Sequence, residues 1–152
     1  MAAKKEIFLT TDEDFNLYKQ ETEYWQRYWG LLHWRLICLH SHIGGFCANI
    51  FWDKPNRRAI TRFNTKYPTK PDHREICSTA FHEMAELLLS PMQDYMEGNA
   101  KILEAQTHSV ISILENTVFR VDYDRRFGDK TKATSATMAT FNYLYKGGGE
   151  VE

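Results

Sequence analysis

The chain has no apolar run approaching the roughly 20 residues that a membrane-spanning helix requires. Its opening residues, Met1 to Ile7, are few and charged and lack the apolar stretch of a secretory signal. Cysteine is sparse, and Cys38, Cys47 and Cys77 form an odd, scattered set that suits neither a disulfide framework nor a CxxC zinc clasp. A reducing, cytoplasmic setting is the expectation. Charge of one sign is also lacking: 19 Lys and Arg against 20 Asp and Glu leave a formal net charge of −1. That balance gives no reason to expect nucleic acid or an anionic membrane as a partner. Gly44-Gly45 and Gly147-Gly149 lack the lysine and helix start of a phosphate loop, and neither Ser41 nor Ser109 sits in a nucleophile elbow or triad pattern.

With 152 residues, the chain is long enough for one domain with a real core and too short for two comfortable ones. Hydrophobic residues at 43% and charged residues at 26% are ordinary for a globular protein. The aromatic share, 14%, is high and concentrated in the first half, which places a compact core at that end.

Periodicity predicts an α+β fold. A first helix starts at Thr10 or Thr11, where Thr11 and Asp14 have capping-box spacing, and Gly30 stops it. Phe15, Tyr18, Thr22, Trp25 and Trp29 form its core stripe. Strands follow at Trp34 to His40 (apolar on both alternating sets, hence read as buried on two sides), at Phe46 to Trp52 and at Arg57 to Asn64. The last two pair as a hairpin around Asp53-Lys54-Pro55-Asn56, giving a small three-stranded antiparallel or mixed sheet. Asp72 and Glu75 cap a second helix from His73 to Leu89, ended by Ser90-Pro91. A third helix spans Asn99 to Phe119, its apolar line running through Ile102, Ala105, Ser109, Ile113 and Asn116 and widened by Leu103, Val110, Leu114 and Thr117. Residues 1–10 read as an extension, 11–119 as the domain, and 120–152 as a tail disordered in part, especially from Gly147 onward.

The chemistry-bearing pattern is His82-Glu83-Met84-Ala85-Glu86 on the second helix. Residues four apart share a helix face, with Cβ atoms about 6 Å apart, so one metal ion can bridge His82 and Glu86. Glu83 occupies the position of the general base in a zinc peptidase helix. Glu104 and His108 repeat the four-residue spacing on the third helix. Antiparallel packing through the short connection at Pro91 to Gly98 brings the two pairs face to face. Four ligands would close the coordination sphere of a structural metal; three leave a position for the water a hydrolase needs. The same side chains also occur as solvated carboxylates and capped histidines, and HExxE on its own is a common pattern. His40 and His42 read as turn residues, His73 as exposed, and Arg57-Arg58 and Arg125-Arg126 as solvated basic pairs.

From Asp14 to Phe119 the sequence resembles a group of small phage and prophage proteins described as zinc-metallopeptidase-like, distantly similar to SprT-like and minimal gluzincin domains. The resemblance rests on Tyr28-Trp29-Gly30 with His33-Trp34-Arg35, the Ala48 strand, Arg58-Ala59-Ile60 and Asn64. Most specific are Ala80-Phe81-His82-Glu83 with Glu86-Leu87-Leu88-Leu89-Ser90-Pro91, and His108 followed by Leu114-Glu115-Asn116. It implies a zincin-like layout of first helix, sheet, motif helix and a following antiparallel helix. It also implies a zinc site at His82, with Glu83 as base and His108 or Glu104 as a further ligand. The chain departs from the pattern in carrying HExxE for HExxH. Two functions follow as expectations. One is a metal-dependent hydrolase acting on a peptide or protein substrate. The other is a catalytically degenerate phage accessory protein that binds and inhibits a host protein in the host cytoplasm. A metal that only pins the two helices together is a third possibility.

Overall fold

Thr11 begins the first helix as the sequence predicts. Its side chain accepts from the Asp14 backbone N–H, while the Asp14 carboxylate accepts from the Thr11 N–H at 2.8 Å, a reciprocal capping box. The computed structural model of the chain describes residues 7–93 and 100–128. Its elements run β1 (Phe8–Leu9), α1 (Asp12–Tyr28), β2 (Arg35–Ser41), β3 (Ala48–Asp53), β4 (Arg58–Asn64), β5 (Lys66–Tyr67), α2 (His73–Gln93) and α3 (Ala100–Leu114). A π-helical turn (Glu115–Phe119) and α4 (Arg120–Phe127) follow. Gly30 takes φ +67° just past the end of α1, the left-handed position that releases a chain from a helix.

The main sheet is mixed, with strand order β2-β4-β3. β3 and β4 form the expected antiparallel hairpin, while β2 pairs in parallel with β4, from Arg35 opposite Arg58 to Ser41 opposite Asn64. The strand entering last is therefore the central one. One face of the sheet is covered: Ala59, Thr61 and Phe63 of β4 are wholly buried, and Ala48 and Ile50 of β3 nearly so. Against it lie Tyr18, stacked on Phe63 at 4.6 Å and hydrogen-bonded to Thr61, and residues Ile76 and Ala80 of α2. Trp25 meets Phe81 edge-on at 4.8 Å and locks α1 to α2.

Several expectations change. β2 is not buried on both sides: it is an edge strand with partial cover, and Leu39 is exposed. Within the stretch read as an extension, Phe8–Leu9 pair with Lys66–Tyr67 and Thr10 hydrogen-bonds the Asn64 carbonyl at 2.8 Å. Pro91 does not end α2, which continues to Gln93. Proline removes one helical hydrogen bond, but Leu87 and Ser90 are buried and Lys54 donates to the Ser90 carbonyl at 3.3 Å, so tertiary packing holds the last turn. On α3 the buried line is Leu103, Thr107 and Ile111, whereas Ile102 and Ile113 are 50% and 60% exposed. Both lines have helical spacing, and periodicity alone does not say which one faces the core.

The chain divides into two units, residues 1–115 and 116–152. In the second, Arg120–Phe127 is helical where a fading tail was expected. Arg126 Nε donates to the buried Asp122 carboxylate at 2.6 Å, Arg125 also binds it, and Phe119, Tyr123 and Phe127 form a ladder of rings, so the Arg125-Arg126 pair is tethered. The expected disorder beyond Gly147 lies outside the described residues. Among the described residues no helix is long and apolar enough to cross a membrane.

Asn64 organises the loop between β2 and β3. Its amide donates to the carbonyls of Ile43 and Phe46, both at 2.7 Å, and its oxygen accepts from the Lys66 N–H at 3.0 Å. Asn64→Ala strands these buried groups and should cost about 2–4 kcal/mol of unfolding free energy in urea titration. A cost below about 0.5 kcal/mol would show that the loop holds itself.

Candidate metal centre

Two faces of α2 face different surroundings. Ile76, Cys77, Ala80, Phe81, Met84 and Ala85 are buried, with Phe81 fixed by Trp25 and by Trp29 at 5.1 Å. That anchoring turns the line Glu75, Ser78, Thr79, His82 and Glu86, spaced three and four apart, away from α1. His82 Nε2 lies 3.6 Å from Glu86 Oε1, as the i,i+4 spacing demands. α3 brings His108 across, its ring stacked on His82 with centroids 5.4 Å apart. One donor atom from each of His82, Glu86 and His108 lies within 4.8 Å of the other two, so this group can hold a metal ion.

The other nitrogen of His82 is engaged as well. Nδ1 lies 2.9 Å from Oε1 of Glu115, the residue that opens the π-helical turn. Glu115 was not among the residues expected at the site. The signal was nevertheless present, because Glu115 follows His108 by seven residues, two helical turns, and so returns to the same face. Glu86 meets His108 while His82 meets both His108 and Glu115, so positions advance along the second segment as they recede along α2. That is the antiparallel pairing expected of these two helices.

Glu104 departs from expectation. It is exposed and does not belong to the group formed by His82, Glu86 and His108. Glu104 shares the face of His108, so the difference is one of register along the helix: His108 and Glu115 lie against Glu86 and His82, and Glu104, a turn before His108, falls outside the group. Elsewhere, His40 is drawn into the fold by Thr10 Oγ1 at 2.8 Å and by stacking on Phe15.

Glu83 occupies a different environment from its neighbours. It is 6% exposed, and its Oε2 has no hydrogen-bond partner among the described residues. Burial, reinforced by the nearby Glu86 carboxylate and opposed by His82, pushes its carboxyl up to about 8. Hydrogen bonds to Glu115 and then Glu86 hold the His82 imidazolium up to about 10 against the opposing effect of burial. Glu83, His82 and Glu115 line one end of a cavity of about 350 Å³. Phe46, Cys47 and Ala48, from the loop that Asn64 organises and the start of β3, form one wall, and Glu75, Ser78 and Thr79 of α2 form the other.

The donor set suits a divalent transition metal. Two imidazoles and a carboxylate are a recognised zinc ligand set, and the 3.6 Å between His82 and Glu86 is close to the roughly 3.4 Å separating two donors on one tetrahedral zinc. Glu115 meets the far nitrogen of His82, the position from which a carboxylate can orient an imidazole that binds a metal. No protein-family model, curated protein or solved structure matches the chain significantly.

The two titrations set the pH dependence of the metal-free chain. His82 holds its proton more tightly when folded, about 10 against 6.5, so its stabilisation is full below pH 6.5 and is lost as the pH rises through 10. Glu83, at about 8 against 4.5, keeps a proton that the unfolded chain has released, so stability also falls between those values. The melting temperature of the metal-free chain should therefore decline from pH 5 to pH 10. Glu83→Gln should flatten the part below pH 8 and raise the melting temperature at pH 8. A profile identical in the variant would show that Glu83 is not buried as a strained carboxyl.

Proposed function

We propose that the chain is a zinc-dependent hydrolase of peptide-like substrates, built on a zincin-like plan with HExxE in place of HExxH. The observation that carries this reading is the convergence of His82, Glu86 and His108 beside a cavity lined by Glu83, a buried carboxyl with a free oxygen.

His82, Glu86 and His108 would hold the ion, and Glu115 would keep the His82 ring in place. A bound zinc ion supplies a Lewis acid that polarises a carbonyl and makes a nearby water more acidic. Glu83 handles the proton. As a carboxylate it accepts a proton from the attacking water while the water oxygen bonds to the substrate carbonyl carbon. It then passes that proton to the departing nitrogen as the C–N bond breaks, which regenerates the carboxylate. A group that must both take and give a proton near neutral pH works best with its affinity tuned upward, which is the direction in which burial moves Glu83.

A second reading rests on the ion pairs. His82 already has Glu115 and Glu86 on its two nitrogens, a network that can close without a metal. The chain would then be the catalytically degenerate phage accessory protein, with a host protein as partner.

Metal content separates the two. Protein purified without added metal should contain close to one zinc per chain, and His82→Ala or His108→Ala should abolish it. Glu83→Gln should retain the metal and lose peptide hydrolysis by about 10²–10⁴-fold. Glu115→Gln should weaken zinc binding by roughly 10–100-fold. Metal-free protein whose activity on its partner survives Glu83→Gln would establish the second reading.

A further inference from the structure

The cavity beside the centre is electrically lopsided. Among the described residues no lysine or arginine lines it. At the end near His82, the carboxylate of Glu115 is matched by the imidazole it contacts. At the other end stands Glu75, to whose side chain no ion pair runs among the described residues. Glu83 adds a buried oxygen without a donor in the same cavity. Burial first, with smaller contributions from Glu75 and Glu83, pushes the half-buried Cys47 thiol up, which disfavours a thiolate on that wall. The remaining surface is Phe46 and Ala48, apolar, facing the small Ser78 and Thr79.

We propose that this cavity is a subsite for an organic cation, an ammonium or guanidinium group that pairs with Glu75 while the carbonyl of the same molecule lies at the His82 end. What happens to that carbonyl rests on the hydrolase reading, whereas the binding preference rests on the cavity. The dimensions agree. Seven residues of helix separate Glu75 from His82, about 10.5 Å of rise, which a basic side chain and the reach of Glu75 cover between them. A volume of about 350 Å³ suits one residue rather than an extended chain. Lysine and arginine lay their apolar stems on such walls and direct the charge to a carboxylate, and Phe46 offers that wall here. The cation can come from a basic side chain or from the α-amine of a peptide, and both present the same chemistry to Glu75.

The test uses the full-length chain as purified and again after removal of metal by a chelator, with the backbone amide shifts of Phe46, Ala48, Ser78 and Thr79 read by NMR. The probes are Nα-acetyl-lysine methylamide, its neutral counterpart Nα-acetyl-norleucine methylamide, and alanyl-alanine amide with a free amine. The lysine probe should bind about fivefold tighter than the norleucine probe, as expected for a partly exposed ion pair, and salt should erode the difference. Glu75→Gln should bring the ratio near one without weakening the norleucine probe, which also verifies that the cavity is intact. Glu75→Lys should turn the preference to Nα-acetyl-glutamate methylamide. If only the free-amine probe responds to Glu75→Gln, the subsite stands with the α-amine as its cation. Equal binding of the lysine and norleucine probes, or a ratio untouched by Glu75→Gln, overturns the proposal when the free-amine probe is also indifferent to Glu75→Gln. No turnover is read, so a chain that is not a hydrolase leaves the result intact, and a hydrolase indifferent to Glu75 sinks the inference alone.

Discussion

His82 has a carboxylate on each ring nitrogen, Glu115 at 2.9 Å and Glu86 at 3.6 Å, and a third carboxyl, Glu83, is buried one residue away. Three acidic groups around one imidazole repel one another unless a cation or bound protons offset them. The chain meets this with protons: His82 keeps its own far above neutral pH, and Glu83 keeps its own into the neutral range. A divalent ion would offset the same repulsion with more charge in one place. The cluster is thus suited to exchange protons for a metal, and everything built around it serves to keep these groups close.

The surrounding fold supplies that constraint from two directions. Trp25 and Trp29 grip Phe81 and so set the rotation of α2, which determines that His82 and Glu86 leave the core while Met84 and Ala85 enter it. The central position of β4 does the rest. Because β4 enters between β2 and β3, its last residue, Asn64, ends beside the loop joining those two strands and can hydrogen-bond Ile43 and Phe46. A side chain at the end of a central strand therefore sets the wall opposite Glu75. The cavity is a consequence of strand order as much as of the residues that line it.

Much of this was legible in the sequence. Capping chemistry located the starts of α1 and α2, and alternation located three strands, because these signals are local and each has a direct physical cause. The i,i+4 spacing of His82 and Glu86 was equally local. What was hidden depended on packing between distant segments. Strand order is one case, since the chain alternates in the same way whether β4 lies at the edge or in the middle. The rotation of α3 is another: Leu103, Thr107 and Ile111 and the rival line through Ile102 and Ile113 both have helical period, and only contact with α2 selects the first. The register of α3 along α2 was hidden in the same way, and it decides between Glu104 and Glu115, which share the face of His108, as the additional acidic partner of the histidines. Pro91 was misread for a similar reason, because a local preference against helix yielded to the burial of Leu87 and Ser90.

The carboxylate at position 86 has a consequence that a histidine there would not have. Two neutral imidazoles four apart have little to hold them together without a metal, whereas His82 and Glu86 attract each other once the imidazole is protonated. The metal-free chain thus keeps its donors assembled, and little side-chain ordering remains to be done when an ion arrives. The cost is competition with the proton. An ion that coordinates His82 must displace a proton that Glu115 and Glu86 help to hold, so its apparent affinity at neutral pH is lowered relative to an imidazole already neutral. Preassembly and proton competition come from the same two hydrogen bonds and cannot be separated by tuning either one. A site of this kind tolerates loss of its metal without coming apart, and it holds that metal more firmly as the pH rises.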